Sequence, residues 1–268
     1  MAKAFIASIA IVVGLSCLRL LPALAASLVL ATDDTPGNPW IMGGGSHFQK
    51  KSPGLEIELY RLMAEKLNLQ LKVVRLPWKR CLSELEHGRV DGVFPASFKP
   101  ERLSLGRFPT KNGRIDPTRK SRDSAYFLYT RRASPLGWDG RSFVNMGLMD
   151  RKTIGVPLDW SIVTDLRQMG VDLLEKPRPV DLLIILRKGG IAGVVCLDTV
   201  IDAYIVQSPS RYQDIQKIFP PVAEKAYYLM LSHAFVSQQP DLSEKIWDTI
   251  AKIKKSDEYK TLLMRYTR

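Results

Sequence analysis

Apolar positions recur along this chain with two alternating periods. Leu28 to Ala31 is a short apolar run that reads as a strand. Leu55, Leu59, Leu62, Met63 and Leu67 then share one face at helical spacing, after the Pro53-Gly54 break and with Glu56 and Glu58 in the first turn. Gln70–Leu76 reads as a strand ending in Pro77-Trp78, Lys79–His87 as a short helix stopped by Gly88, and Arg89–Ala96 as a buried strand that runs into the polar loop Ser97–Arg102. The same order returns over Thr153 to Gln207: strand Thr153–Val156, helix Trp160–Met169 with Asp159 as N-cap, extended Val171–Glu175, helix Val180–Arg187, strand Ile191–Leu197 and helix Thr199–Gln207. Between the two units lie a long basic segment, Pro109 to Ser124, and an aromatic strand, Tyr126–Thr130, suited to crossing between lobes. Pro220-Pro221 marks a break, Tyr227–Ser232 a returning strand, Leu242–Lys254 an amphipathic helix, and Ser256-Asp257 the cap of a last helix, Glu258–Tyr266.

Alternating strands and helices give right-handed parallel units. Loops at the carboxyl ends of parallel strands line the ligand crevice of such sheets. Trp78 and the Ser97/Arg102 pair fall there. An aromatic face beside a hydroxyl and a guanidinium suits a small ligand with an anionic group and some apolar bulk.

The first 25 residues change the picture of location. A basic start, the apolar run Ala4 to Leu18 and Ala23-Leu24-Ala25 read as a secretory signal peptide, residues 1–25, cut after Ala25; the run is short for a membrane span and Arg19 interrupts it. Removing Lys3 and Arg19 lowers the formal charge of +12 by two, so the exported chain stays basic. That fits an acidic ligand, an anionic surface or a solvated basic face. No nucleic-acid motif accompanies the charge, and a nucleic-acid partner is not expected. Cys81 and Cys196 are expected as buried free thiols. Gly43-Gly44-Gly45 lacks the surroundings of a phosphate loop and reads as a turn. His47, His87 and His233 form no metal-ligand spacing, no serine elbow is present, and the paired carboxylates Glu56/Glu58 and Asp33/Asp34 fit helix-start and turn chemistry; neither metal nor cofactor is expected.

The stretch PGLEIELYRLMAEKLNLQLKVVRLPWKRCLSELEHGRVDGVFPASFKPER resembles the first lobe of extracellular solute-binding proteins of family 3, the amino-acid-type binding components of ABC importers. Gly54 with Glu56 and Glu58, Trp78, Leu85 with Gly88-Arg89-Val90-Asp91, and Ser97 with Arg102 carry the likeness; Ala226 to Tyr266 resembles the family's return strand and closing helices. The resemblance implies a two-lobed α/β fold of the type II periplasmic-binding-protein kind, each lobe a mostly parallel sheet flanked by helices, with two hinge strands. The expected division is 26–128 for the first part of lobe 1, 129–222 for lobe 2 and 223–268 for the return to lobe 1. It also implies a periplasmic, monomeric protein that closes on a small polar or amino-acid-like ligand and delivers it to an ABC permease in the inner membrane. By the same resemblance Trp78 stacks on the ligand, Trp40 forms another wall, Ser97 and Arg102 hold a carboxylate, and Asp198 takes a cationic amine. The second lobe departs from the family: Leu158-Asp159-Trp160-Ser161 stands where a glycine followed by threonine or serine is usual. Asp159 there would repel an anion, and Trp160 beside it suits a cationic or aromatic group. Two alternatives stay open, a dehydratase on the same fold using Asp159 or Asp198 as its acid, and a partner protein of a sensor or exported dehydrogenase, docking through the basic segment.

Overall fold

The computed structural model describes residues 26–267, and the expected signal peptide lies outside them. Its main elements are β1 (Ser27–Asp33), α1 (Leu55–Lys66), β2 (Gln70–Leu76), α2 (Trp78–Glu86), β3 (Gly92–Ser97), β4 (Arg122–Arg131), β5 (Ile154–Pro157), α3 (Ile162–Gln168), β6 (Leu173–Lys176), α4 (Pro179–Arg187), β7 (Gly193–Leu197), α5 (Asp198–Gln207), β8 (Ile215–Ser232), α6 (Pro240–Ile253) and α7 (Asp257–Thr267). The strands form one curled sheet in the order β6-β5-β7-β4-β8-β3-β1-β2. β1, β2 and β3 run parallel at one end and β5, β6 and β7 parallel at the other; β4 and β8 lie between them, antiparallel to each other and to the strand each meets outside the pair.

Each end has its own core. Leu28, Leu30, Phe94, Leu55 and Met63 pack with Trp247 and Ile250 of α6 on one face of the first half, while α2 closes the other face with Cys81 and Leu85 against Val93 and Met230. Leu128, Ile154, Val156, Leu166, Leu182 and Cys196 belong to the core of the second half. Cys81 and Cys196 are free and buried in different cores.

Several element boundaries differ from expectation for physical reasons. Trp78 does not end a strand; it opens α2 in the first turn after Pro77. Strand β3 begins at Gly92 because Gly88, at φ +65°, ends α2 and the next residues turn back, so that the Asp91 carboxylate accepts the Val29 amide of β1 at 2.7 Å. The family-like Gly88-Arg89-Val90-Asp91 block is thus a helix stop and a strand tie. Arg122, expected in the basic loop, begins β4. That loop is anchored: Arg119 meets Asp116, Glu244 and Asp248 at 3.4, 2.6 and 2.8 Å, the last two on α6. Pro220-Pro221 does not break the chain before the returning strand. β8 runs through it over 18 residues, with a register shift between Ile218 and Ala223 against β4; prolines cannot donate to a ladder and sit where it is interrupted.

Candidate functional site

A cleft opens where the carboxyl ends of β1 and β3 face the start of α5 across β4 and β8. Its walls are largely apolar: Ile41, Trp78 and Pro95 from one half, Trp160, Leu197 and Val200 from the other. Its polar lining is Asp33, Thr35, Ser97, Arg102, Arg122, Tyr126, Ser161, Thr199 and Tyr227. Apolar walls with a few convergent polar groups are the usual make-up of a small-molecule site.

Arg102 is its central charge. The short 3-10 helix Pro100–Ser104 after β3 turns this side chain back, so that Nη1 donates to the Ser97 carbonyl at 2.9 Å and to Ser97 Oγ at 3.2 Å. Nη2 donates to the Asp159 carbonyl of the facing half at 3.4 Å, and the guanidinium lies 5.3 Å from the Trp78 ring centre. It is buried to 6 % exposure, which lowers its pKa, yet an arginine stays charged at neutral pH. Among the described residues no carboxylate lies within ion-pair distance of it, and of its five donors two remain uncommitted.

Arg122 enters the same cavity already neutralised. Its Nε meets Glu56 at 3.0 Å, both side chains almost fully buried, and it also donates to Ser124 Oγ. Glu56 further accepts from Ser121 at 2.6 Å and Tyr60 at 3.3 Å. Glu56 therefore does more than complement the helix dipole. Tyr227 donates to Tyr126 at 2.9 Å, and Tyr126 contacts Ser161 Oγ at 3.3 Å, linking both crossing strands to the approach of α3. Burial pushes both phenols above their ordinary pKa, so they act as neutral hydrogen-bonding groups.

Among the described residues Asp33 is the one carboxylate lining the cavity. Burial, opposed by its hydrogen bonds to Thr35, raises its pKa to about 6. Arg75 of β2 shapes the loop that follows: it donates to the carbonyls of Asp33, Met42, His47 and Thr35 at 3.3, 3.4, 3.0 and 2.9 Å, fixing the segment that brings Thr35, Gly37 and Ile41 to the cavity.

Of the residues singled out in the sequence, Trp78, Ser97, Arg102 and Trp160 line the cavity. Trp160 packs against cores of both halves and meets Tyr126 edge-on. Three others are elsewhere. The Trp40 ring lies on Arg122 at 5.2 Å, and its carbonyl accepts the Glu56 amide at the start of α1. Asp159 is no N-cap; it sits at φ +61° in the turn before α3, and its half-exposed carboxylate points to Lys79 at 4.0 Å. Asp198 is the first residue of α5, where it accepts the Thr199 amide at 2.7 Å and lies 3.6 Å from Lys217. Neither acid named for a dehydratase lines the cavity. The sequence reading missed Asp33, Thr35, Arg122, Tyr126, Ser161, Thr199 and Tyr227. Asp33 could have been found by applying the strand-end rule to β1, and Arg122 and Tyr126 by the two-residue alternation Arg122, Ser124, Tyr126. Among the described residues no group of histidine, cysteine, aspartate and glutamate could hold a metal ion, and no helix is long and apolar enough to cross a membrane.

Fold and cavity together define an α/β fold, a curled and mostly parallel sheet flanked by helices, with a candidate site at the crossing strands. The chain belongs to the bacterial extracellular solute-binding proteins, family 3, whose model matches residues 46–268. No curated protein matches it. Solved structures share the fold at low identity. One is the substrate-binding protein of an amino acid ABC transporter, at 20 % identity and TM-score 0.67, covering 90 % of this chain and 99 % of that one. A histidine kinase sensor domain similar to periplasmic binding proteins matches at 19 % identity and TM-score 0.70, covering 91 % and 96 %. The arginine-, lysine-, histidine-binding protein of Geobacillus stearothermophilus matches at 17 % identity and TM-score 0.69, covering 90 % and 95 %.

Proposed function

We propose that this protein captures a small solute bearing an anionic group between two lobes, 26–128 with 223–268 and 129–222, and presents it in the periplasm to an ABC permease. The observation that carries the reading is Arg102, a buried guanidinium without a carboxylate partner, held by Ser97 on one side and the Asp159 carbonyl on the other. A buried charge is retained where something compensates it, and a ligand anion is the missing partner. β4 and β8 are the hinge strands of this reading. Ligand that binds only the native state raises its melting temperature. A thermal-shift screen of amino acids, organic acids and amines should find a stabilising solute, and Arg102→Ala and Trp78→Ala should each abolish its shift. If both variants shift as the parent does, the site is elsewhere.

Asp33 supports a second reading, a dehydratase-type enzyme on the same fold, because a carboxyl with a pKa raised to about 6 can serve as an acid near neutrality. Turnover of a prephenate-like substrate that Asp33→Asn abolishes would favour it. The sensor-domain likeness supports a third destination for the same ligand-bound state, a signalling partner; pull-down with and without ligand separates that from delivery to a permease.

A further inference from the structure

The lining of the cavity narrows the ligand class beyond an anionic solute. An α-amino acid needs acceptors for its ammonium group as well as donors for its carboxylate. Every carboxylate of the second half close to the cleft is engaged outside the cavity: Asp159 faces Lys79 at 4.0 Å, Asp165 meets Lys225 at 2.5 Å, and Asp198 and Asp202 lie 3.6 and 2.8 Å from Lys217. In the first half Glu56 is consumed by Arg122, Ser121 and Tyr60. The hydroxyls of Ser97 and Ser161 already take part in hydrogen bonds with Arg102 and Tyr126. Among these carboxylates that leaves Asp33, one of whose oxygens is closed into a turn by the Thr35 amide at 2.6 Å.

The donor side is the reverse. Arg102 has uncommitted N–H groups, and two buried polar atoms of cavity-lining residues have no partner, the Trp78 indole Nε1 and the Thr199 hydroxyl. The indole nitrogen is a donor only, and the hydroxyl can donate or accept. Unsatisfied buried groups of this kind are uncommon and ask for an explanation. They come from opposite walls, α2 and α5.

We propose that the cleft selects a small aromatic or branched apolar carboxylate that carries no α-ammonium group, Arg102 holding the carboxylate and Trp78 and Thr199 sharing its remaining acceptor sites. The proposal rests on the reading of the cleft as a solute site. Its consequence for Asp33 is definite. The charged groups facing that carboxylate are Asp34 beside it and Arg75 from β2; Arg102 and paired Arg122 line the same cavity. A cation would favour ionised Asp33, whereas an anion favours the neutral acid, so binding of an acid ligand takes up a proton there.

The test is isothermal titration of the purified full chain at pH 7.5 and 5.5 with two matched series: 3-phenylpropanoate, L-phenylalanine and 2-phenylethylamine, and 4-methylpentanoate, L-leucine and 3-methylbutylamine. Each acid should bind at least about tenfold more tightly than its amino acid, the cost of one unpaired buried group, and the amines not measurably. The acids should bind more tightly at pH 5.5, and Asp33→Asn should flatten that dependence. Amino acids binding as tightly as the acids, or a pH dependence that persists unchanged in Asp33→Asn, overturns the proposal. If amino acids bind and Arg102→Ala abolishes it, the solute-site reading survives that failure; no binding by any of the six compounds counts against both.

Discussion

Arg102 and Arg122 bring the same guanidinium to the same cavity and end in different states. Arg122 has Glu56 as a buried counter-ion, with Trp40 and Tyr227 rings at 5.2 and 5.1 Å, and holds the crossing strands together. Arg102 has only neutral acceptors and keeps donors for a ligand. The sequence reading singles out Arg102 at a strand end and leaves Arg122 in the basic segment, because a basic run looks solvated until the strand that contains its end is known. Asp33 was read as turn chemistry, and its Thr35 bond bears that out, but its place on the cavity was not legible from spacing. The raised pKa makes a stability prediction. The folded state holds the proton more tightly than the unfolded chain, so the protonated form is favoured by folding below the unfolded pKa of 3.8, and this contribution is lost as pH rises through about 6. Asp33→Asn should therefore be more stable than the parent at pH 7 by about 1–3 kcal/mol and nearly equal to it at pH 3.5. Urea midpoints at the two pH values measure this; an equal difference at both would mean that the proton is not involved.

At the scale of elements, the start of α1 shows why an apparently loose loop is built to a fixed shape. The amides of Leu55 and Glu56 have no partner within the helix and donate to the carbonyls of Pro39 and Trp40, each at 3.0 Å. This close approach requires Gly54, at φ +122°, where an added Cβ would lie 2.2 Å from the Trp40 carbonyl oxygen. Gly54→Ala should cost about 2–4 kcal/mol, combining backbone strain with displacement of the capping loop, and should weaken ligand binding as well because Ile41 of that loop lines the cavity. Denaturant midpoints and ligand titration of the variant check both; a change below about 0.5 kcal/mol would show that the loop simply moves aside. The helices and the parallel strands were legible because their apolar spacing is local. The lengths of β4 and β8 were not, since Arg122 joins the ladder only through Tyr227 of β8, and Pro220-Pro221 lies within β8 only because β8 pairs with β4 on either side of it.

For the whole molecule, the contacts that cross the cavity decide how the halves sit together. Lys99 donates to Thr164 Oγ1 at 2.5 Å, Arg102 to the Asp159 carbonyl, and Trp160 bridges the cores. Burial, aided by Arg102, holds the Lys99 ammonium below its ordinary pKa. On the proposed hinge reading these contacts favour the closed form. Lys99→Met removes one of them at a net cost of about 1 kcal/mol, so the affinity for a stabilising solute should fall about fivefold while the melting temperature without ligand changes little. Small-angle scattering should show a larger radius for the variant at low ligand and the parent's radius at saturation. Unchanged affinity and radius would show that the bond contributes nothing to closure.

By itself the sequence determined the alternation of strands and helices, the family block from Pro53 to Arg102, and three of the cavity's aromatic and charged side chains, Trp78, Arg102 and Trp160. These follow from local periodicity, turn residues and the position of strand ends, all of which neighbouring residues dictate. Only the tertiary structure decided where carboxylates point. Asp159 and Asp198 lie beside cavity residues in the chain, yet each turns to a lysine that is distant in sequence, Lys79 and Lys217, while Asp33 and Arg122, the latter paired with Glu56, meet the cavity. A charged side chain settles with whichever partner best offsets its lost hydration, and that partner is set by long-range packing.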